Sequence, residues 1–250
     1  MTFLTNFFTM ASLIGLVAGP SLLNIILYPF SKKLCIKVSD YIVSYCAPML
    51  FRIAGMYKGL KTTLDRSGFD KLPEQFLVIT NHQSLLDIPI FMCFFKDRNV
   101  RFVAKDTLSR HIPLVSEMLR VHEHCFIPRK GSPSVAMKTL DEFGKRVVER
   151  KQIPILFPEG TRSKNGDLGT FYSAGFRRLS ESCGLPVVAC CLDEGYKAND
   201  FLHALSNLGQ INYKCKVVGV FDAPKSKEDQ VKILEESKAL MQKQLDEWRK

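Results

Sequence analysis

The first 31 residues of the chain contain no charged side chain. A secretory signal begins with a positively charged stretch, so this absence argues against one. The apolar runs at 3–18 and 22–30 are separated by Gly19-Pro20, so neither is the uninterrupted segment of about 20 residues that spans a bilayer. A kinked transmembrane helix, a hairpin that enters one leaflet and a helix that only caps the core all remain open. We expect membrane attachment, because an exposed apolar run of this length otherwise aggregates.

The eight cysteines form no recognisable disulfide framework. Most lie in apolar runs, where a free cysteine behaves as a small buried side chain. Cys190 and Cys191 follow each other in a predicted strand, so their side chains should point to opposite faces. His122 and His124 would share one face of a strand, but no second group of ligands accompanies them. We therefore predict no metal centre.

The formal charge of +10 indicates an anionic partner. Zinc-finger spacing, a recognition helix and a basic–aromatic RNA motif are all missing, which argues against nucleic acid. Basic residues instead flank the apolar N-terminal region and the amphipathic stretch that follows it: Lys32, Lys33, Lys37, Lys58 and Lys61. Such residues favour the anionic cytoplasmic leaflet by about 1 kcal/mol each. We predict a membrane-associated protein with its active site on the cytoplasmic side.

Beyond residue 58, short apolar strands alternate with amphipathic helices. Strands are predicted at 76–80, 100–104, 153–157, 186–192 and 214–221, and helices at 85–95, 132–150 and 228–248. Such alternation indicates an α/β domain with a mostly parallel sheet flanked by helices. The composition changes near residue 58, so we predict membrane-anchoring helices at 1–57 and an α/β domain at 58–250.

The string NHQSLLD at 81–87 follows the first predicted strand. Five helical residues turn through about 500°, so His82 and Asp87 cannot share a face of one helix. They meet if His82 lies in the loop before a helix capped by Ser84 and Asp87 lies in its first turns. Asp87 would then fix the imidazole tautomer and leave the other nitrogen free to take a proton. The alternative is an unremarkable histidine, with Asp87 interacting only with the helix dipole.

The string FPEGTRS at 157–163 follows another apolar strand. Gly160 permits a tight bend and the close approach of a ligand to the backbone. Arg162 can bind a phosphate through two parallel hydrogen bonds. The alternative is a surface turn held by a Glu159–Arg162 pair. Because open α/β sheets bind ligands at the carboxyl ends of their strands, we favour a single site formed by both strings. A base, a carboxylate that orients it and a cation for a phosphate would suit transfer of an acyl group to a hydroxyl of an anionic substrate.

The two strings, in this order, resemble the glycerophospholipid acyltransferase family, and most of all its 1-acylglycerol-3-phosphate (lysophosphatidate) acyltransferase branch. Two stretches between them also match. The segment AKDTL at 104–108 is similar to the family's Lys-x-x-Leu segment, and FIPR at 126–129 to its Phe-x-x-Arg motif. Tyr172 stands where the family usually has lysine. The resemblance covers roughly residues 60–222 and implies a membrane-docking pair of N-terminal helices.

The resemblance implies a role for each reactive residue. His82 is implied to be the general base for the acceptor hydroxyl, and Asp87 is implied to orient it. Arg129 is assigned to the acceptor phosphate, and we expect Arg162 and Lys105 to help hold that group. The segment after the third strand helps to bind glycerol phosphate, and its backbone N–H groups are candidates for stabilising the oxyanion. These substrate-positioning residues are Glu159, Gly160 and Thr161.

The expected reaction is acyl transfer from acyl-CoA or acyl carrier protein to 1-acyl-sn-glycerol 3-phosphate, which yields phosphatidic acid. It needs a co-substrate but no metal and no bound cofactor, and its partners are membrane lipid and the thioester carrier. Three alternatives remain open. The acceptor could be another lysophospholipid or an amino-lipid, the chain could be a non-catalytic lipid-binding protein of the same fold, or His82 could activate water in a thioester hydrolase.

Overall fold

The computed structural model describes residues 2–109, 116–128, 132–199 and 208–250. Its sheet comprises β1 (Lys61–Asp65), β2 (Leu77–Thr80), β3 (Val100–Lys105), β4 (Cys125–Ile127), β5 (Ile153–Leu156), β6 (Val187–Asp193) and β7 (Asn212–Phe221). The strand order is β1-β7-β6-β2-β5-β3-β4. All neighbouring pairs are parallel except β6 and β7, which are antiparallel. The predicted α/β fold with a mostly parallel sheet is confirmed.

Helices precede and flank the sheet. They are α1 (Thr2–Leu27), α2 (Lys32–Tyr41), a π-helical turn (Ile42–Cys46), α3 (Ala47–Lys58), α4 (Asp87–Phe94), α5 (Ser116–Val121), α6 (Pro133–Glu149), α7 (Ser173–Cys183) and α8 (Lys227–Trp248). Ser226 caps α8 in a capping box with Asp229, as the sequence predicts. Ser84 does not cap α4, because the helix begins three residues later and the Ser84 hydroxyl instead accepts from Leu86 N at 3.2 Å.

The core lies on both faces of the sheet. On one face, side chains such as Val78 and Cys190 pack against α3 and α4. On the other face, Ile79 and Cys191 pack against α6, α7 and α8. The opposite placement of the two adjacent cysteines follows from the alternation of side chains along a strand. The strands are therefore covered on both sides, which explains why they appear in the sequence as continuous apolar runs.

The helices before the sheet form an antiparallel hairpin. Asn24 of α1 donates to Ser39 Oγ of α2 at 2.8 Å, and Cys46 Sγ donates to Leu16 O at 3.4 Å. Helix α1 continues through Pro20, although the proline ring cannot supply an N–H group. The chain therefore reverses at residues 28–31, and not at Gly19-Pro20 as the hairpin interpretation assumed.

The hairpin exposes many apolar side chains and also packs on the sheet domain. Exposed apolar residues of α1 include Leu4, Phe7, Phe8, Ile14, Leu22 and Ile26. The segments Leu4–Leu27 and Lys32–Lys58 are each long and apolar enough to cross a membrane. Phe51 and Ala54 of α3, however, are buried in the same core as the sheet. The division at residue 58 remains a prediction, and part of the expected anchor contributes to the core of the domain.

Candidate active site

The two sequence strings meet because their strands are neighbours in the sheet. Val78 of β2 pairs with Ile155 of β5 in parallel register, so both strands end at the same edge. The loop after β2 carries His82, and the loop after β5 carries the turn that contains Arg162. Ser163 N donates to His82 O at 2.8 Å, which joins the two loops directly. The site therefore lies at the carboxyl ends of adjacent parallel strands.

His82 and Asp87 form a hydrogen-bonded pair. His82 Nδ1 lies 2.6 Å from Asp87 Oδ2, and Asp87 is completely buried in the first turn of α4. The same oxygen accepts from Gln83 N at 2.7 Å and from Ser84 N at 3.1 Å. A carboxylate in this place requires the proton on Nδ1, which leaves Nε2 as the acceptor. The structure therefore contains the predicted geometry, with His82 in the loop before the helix and Asp87 in the first turn of that helix.

Tyr213 completes the environment of Asp87. Its hydroxyl donates to Asp87 Oδ1, the carboxylate oxygen that does not contact His82. Tyr213 lies in β7, 126 residues further along the chain. No local pattern in the sequence marks it, because an apolar strand commonly contains a tyrosine. Sequence reasoning therefore missed this residue.

Phe157 fixes the plane of the imidazole. The His82 and Phe157 rings stack with centroids 4.1 Å apart and planes inclined by 25°. Phe157 is the first residue after β5, so the strand positions the ring that supports His82. The His82 side chain remains 18% exposed, which leaves part of the ring open to the adjoining cavity.

Glu159 fastens the surrounding loops to each other. It is only 4% exposed, and its Oε1 accepts from His82 N while its Oε2 accepts from Gly169 N, each at 2.8 Å. Burial raises the pKa of the Glu159 carboxyl, and the two backbone donors oppose that rise. Within the described ranges no ion pair joins Glu159 to Arg162, so the surface pair considered from the sequence is absent. Glu159 instead holds the backbone of His82 in place.

The turn after Glu159 faces the open side of the site. Gly160 has a φ of +62°, a conformation that favours glycine, and its N–H donates to Phe157 O at 3.0 Å. A Cβ atom at this position would meet no other atom within 4 Å, so the backbone is accessible. Thr161 and Arg162 are exposed. Arg162 makes no hydrogen bond or ion pair to any residue that the structure describes, and its guanidinium is available to a ligand.

A cavity of about 580 Å³ adjoins the His82 ring. Its polar boundary contains His82, Arg162 and Lys105, which lies at the end of β3. Its remaining walls are largely apolar and include Phe102, Leu108, Met137, Leu140, Tyr172 and Phe176. The volume is that of a small-molecule pocket, and the lining suits a hydrocarbon chain. Arg129, the other predicted phosphate ligand, lies outside the described residues.

His122 and His124 each have a protein partner for one ring nitrogen. Both precede β4 instead of lying in a strand, so the prediction that they share a strand face is wrong. His122 Nε2 contacts Asp40 Oδ1 at 3.0 Å, and His124 Nδ1 accepts from Phe102 N at 2.9 Å. Burial, assisted by Arg101, lowers the pKa of His122 to about 4. The described part of the chain places no three His, Cys, Asp or Glu residues where they could hold a metal ion.

Comparison with known proteins identifies similar chains. The family model described as Acyltransferase matches residues 64–193. A 1-acyl-sn-glycerol-3-phosphate acyltransferase of Cocos nucifera is 32% identical over 134 residues, which cover 54% of this chain and 42% of the relative. The 1-acyl-sn-glycerol-3-phosphate acyltransferase beta of Homo sapiens is 31% identical over 112 residues, covering 45% and 39%. The matched part of the chain thus spans less than half the length of these relatives.

A solved structure shares the fold along nearly the whole chain. The crystal structure of the 1-acyl-sn-glycerophosphate (LPA) acyltransferase PlsC from Thermotoga maritima aligns with a TM-score of 0.66 and 22% identity. The alignment covers 97% of this chain and 94% of that chain. It includes the N-terminal hairpin as well as the sheet, so both parts occur together in a known architecture.

Proposed function

We propose, from the premise that this chain belongs to the Acyltransferase family, that it transfers an acyl group from a thioester to the free hydroxyl of 1-acyl-sn-glycerol 3-phosphate. The product would be phosphatidic acid. The observation that carries this proposal is the hydrogen-bonded His82–Asp87 pair at the mouth of an apolar cavity, with the exposed guanidinium of Arg162 on the same rim. This arrangement supports the proposal because it would supply a base, a site for an acyl chain and a cation for the phosphate.

His82 would act as the general base. Its Nε2 removes the proton of the acceptor hydroxyl while the hydroxyl oxygen attacks the thioester carbonyl carbon. Asp87 keeps Nδ1 protonated and stabilises the imidazolium that forms. The tetrahedral intermediate then collapses, the C–S bond breaks, and the imidazolium returns its proton to the departing thiolate. Because imidazole supplies the base, the mechanism requires no metal and no redox cofactor.

The oxyanion needs donors that are not already engaged. The N–H groups of Gln83 and Ser84 donate to Asp87, and that of Gly160 donates to Phe157 O. Thr161 N–H forms no hydrogen bond within the described residues and follows directly in the exposed turn. Among the residues expected to stabilise the oxyanion, Thr161 is therefore the one that the proposal retains. Glu159 would act indirectly, through the backbone of His82.

The acceptor phosphate would be bound by Arg162 and Lys105 on the cavity wall. Arg129 would join them, in keeping with the Phe-x-x-Arg resemblance. An acyl chain would occupy the apolar part of the cavity, and the exposed apolar surface of the hairpin would hold the site at a lipid surface on the cytoplasmic side. Acyl-CoA and acyl carrier protein both supply the required thioester. The partners of the chain would accordingly be membrane lipid and one of these carriers.

An acceptor panel would test the proposed function. Purified full-length protein in lipid vesicles would be given radiolabelled acyl-CoA or acyl carrier protein and one lysolipid at a time, with His82→Ala as the inactive control. We expect labelled phosphatidic acid with 1-acyl-sn-glycerol 3-phosphate. Labelling of only another lysolipid would replace the acceptor assignment. Thiol release at an equal rate without any acceptor would identify a hydrolase and overturn the proposal.

A further inference from the structure

The two oxygens of the Asp87 carboxylate have different partners. Oδ2 accepts from the His82 ring and from the backbone N–H groups of Gln83 and Ser84. Among the described residues, Oδ1 accepts only from the hydroxyl of Tyr213. Tyr213 is completely buried and lies on the far side of Asp87 from the imidazole. It therefore contacts the pair without reaching the cavity or the substrate.

The fold gives the tyrosine ring a fixed position. In β7, Tyr213 is paired with Thr62 of the neighbouring strand β1. Its ring meets the Phe51 ring of α3 edge to face, with centroids 6.4 Å apart and planes inclined by 70°. Its hydroxyl lies next to Gly195, and a Cβ atom on residue 195 would overlap the hydroxyl oxygen. The strand pairing and this glycine direct the hydroxyl toward Asp87, whereas Phe51 only packs against the ring.

Tyr213 keeps the proton that it donates. Burial, together with the adjacent Asp87 carboxylate, raises the pKa of the Tyr213 hydroxyl well above its usual range. A protonated phenol beside a buried carboxylate acts as a donor to it, and hydrogen bonds to ionised acceptors are stronger than neutral ones. The chemistry of the contact thus agrees with its geometry.

We propose that Tyr213 is a positioning residue for the reaction. By holding Oδ1, it fixes the plane of the Asp87 carboxylate so that Oδ2 faces His82 Nδ1. The backbone donors from Gln83 and Ser84 belong to the same short loop as His82, whereas Tyr213 anchors the carboxylate to β7, a different strand of the sheet. This inference rests on the proposed acyl transfer, because it assigns Tyr213 to the base that drives that reaction.

The test is the variant Tyr213→Phe, which keeps the ring and removes the hydroxyl. We expect kcat to fall by about tenfold or more, with KM for acceptor and donor within about twofold of wild type. Phe51→Leu is the matched control, because it removes the edge-to-face contact and leaves the hydroxyl in place. We expect it to lower the melting temperature and to leave kcat within about threefold of wild type. Equal losses of kcat in the two variants would show a packing role and overturn the proposal.

A double-mutant cycle with Asp87→Ala separates positioning from general damage. If Tyr213 acts through Asp87, Tyr213→Phe should change the residual rate of Asp87→Ala by less than about twofold. A full loss in both backgrounds would refute the connection. If the wild-type protein makes no phosphatidic acid, the proposed function fails. If wild type and Tyr213→Phe are both active at equal rates, only the proposed role of Tyr213 fails.

Discussion

Glu159→Gln tests whether the carboxylate that follows β5 acts on the substrate or on the backbone of the His82 loop. The carboxylate accepts from His82 N and Gly169 N, one with each oxygen. A glutamine keeps a single acceptor oxygen, so its amide group must face one of these N–H donors. That backbone N–H then faces the glutamine NH₂ group and stays unpaired, at a residue that is only 4% exposed.

The magnitude follows from that loss. A hydrogen bond to a charged group contributes about 1.5–3 kcal/mol, and part of this is offset because the buried charge disappears as well. We expect the free energy of unfolding to fall by about 1–3 kcal/mol. Displacement of the His82 backbone should also lower kcat, since a misplacement of about 1 Å can cost a hundredfold. KM for the acceptor should change little, because the side chain does not face the ligand.

Urea unfolding and steady-state kinetics on the same preparations are the measurements. Gly169→Ala is a useful companion, because its methyl group would press on Glu159 Oε2 without altering any charge. Glu142→Gln on the exposed face of α6 is the control, and we expect no measurable effect from it. A Glu159→Gln protein that is as stable as wild type but has a raised acceptor KM would refute the backbone role and restore direct substrate binding.

Four further outcomes are expected. His82→Ala should lower kcat by about 10²–10⁴-fold with an unchanged melting temperature, and activity within about tenfold of wild type would remove the base assignment. Arg162→Ala should cost about ten- to a hundredfold in kcat/KM for the acceptor, with little change in the donor KM, and an unchanged acceptor KM and kcat would remove it from the phosphate site. Burial lowers the pKa of His122 to about 4, from 6.5 for an exposed histidine. As the pH falls from 6.5 toward 4, the unfolded chain binds a proton that the folded chain does not. The free energy of unfolding therefore falls by about 3 kcal/mol across this range. Urea unfolding of His122→Gln should therefore show a shallower acid dependence than wild type, and equal slopes would contradict this. Serine substitutions at three exposed apolar residues of α1, namely Phe7, Ile14 and Ile26, should abolish flotation of the protein with vesicles. The control Val231→Ser on α8 should still float, and continued flotation of the α1 variant would place the anchor elsewhere.

The sequence determined the features that depend on neighbouring residues. Apolar runs ended by turn residues predicted the central strands, and the Ser226–Asp229 spacing predicted the cap of α8. The placement of His82 before a helix and Asp87 within its first turn also followed from the five-residue separation, because only that local geometry lets the side chains meet. These properties are local, so the order of residues is sufficient to predict them.

Only the tertiary structure decided which distant residues complete the site. The antiparallel β7 carries Tyr213 to Asp87, and the neighbouring β2 and β5 bring Glu159 beneath the His82 loop. Neither contact has a local signature, since a buried tyrosine and a turn glutamate are compatible with many environments. Strand order depends on how both faces of the whole sheet are covered, so it depends on packing among all the elements at once. The sequence by itself therefore determined the His82–Asp87 pair, and the fold determined what holds that pair in place.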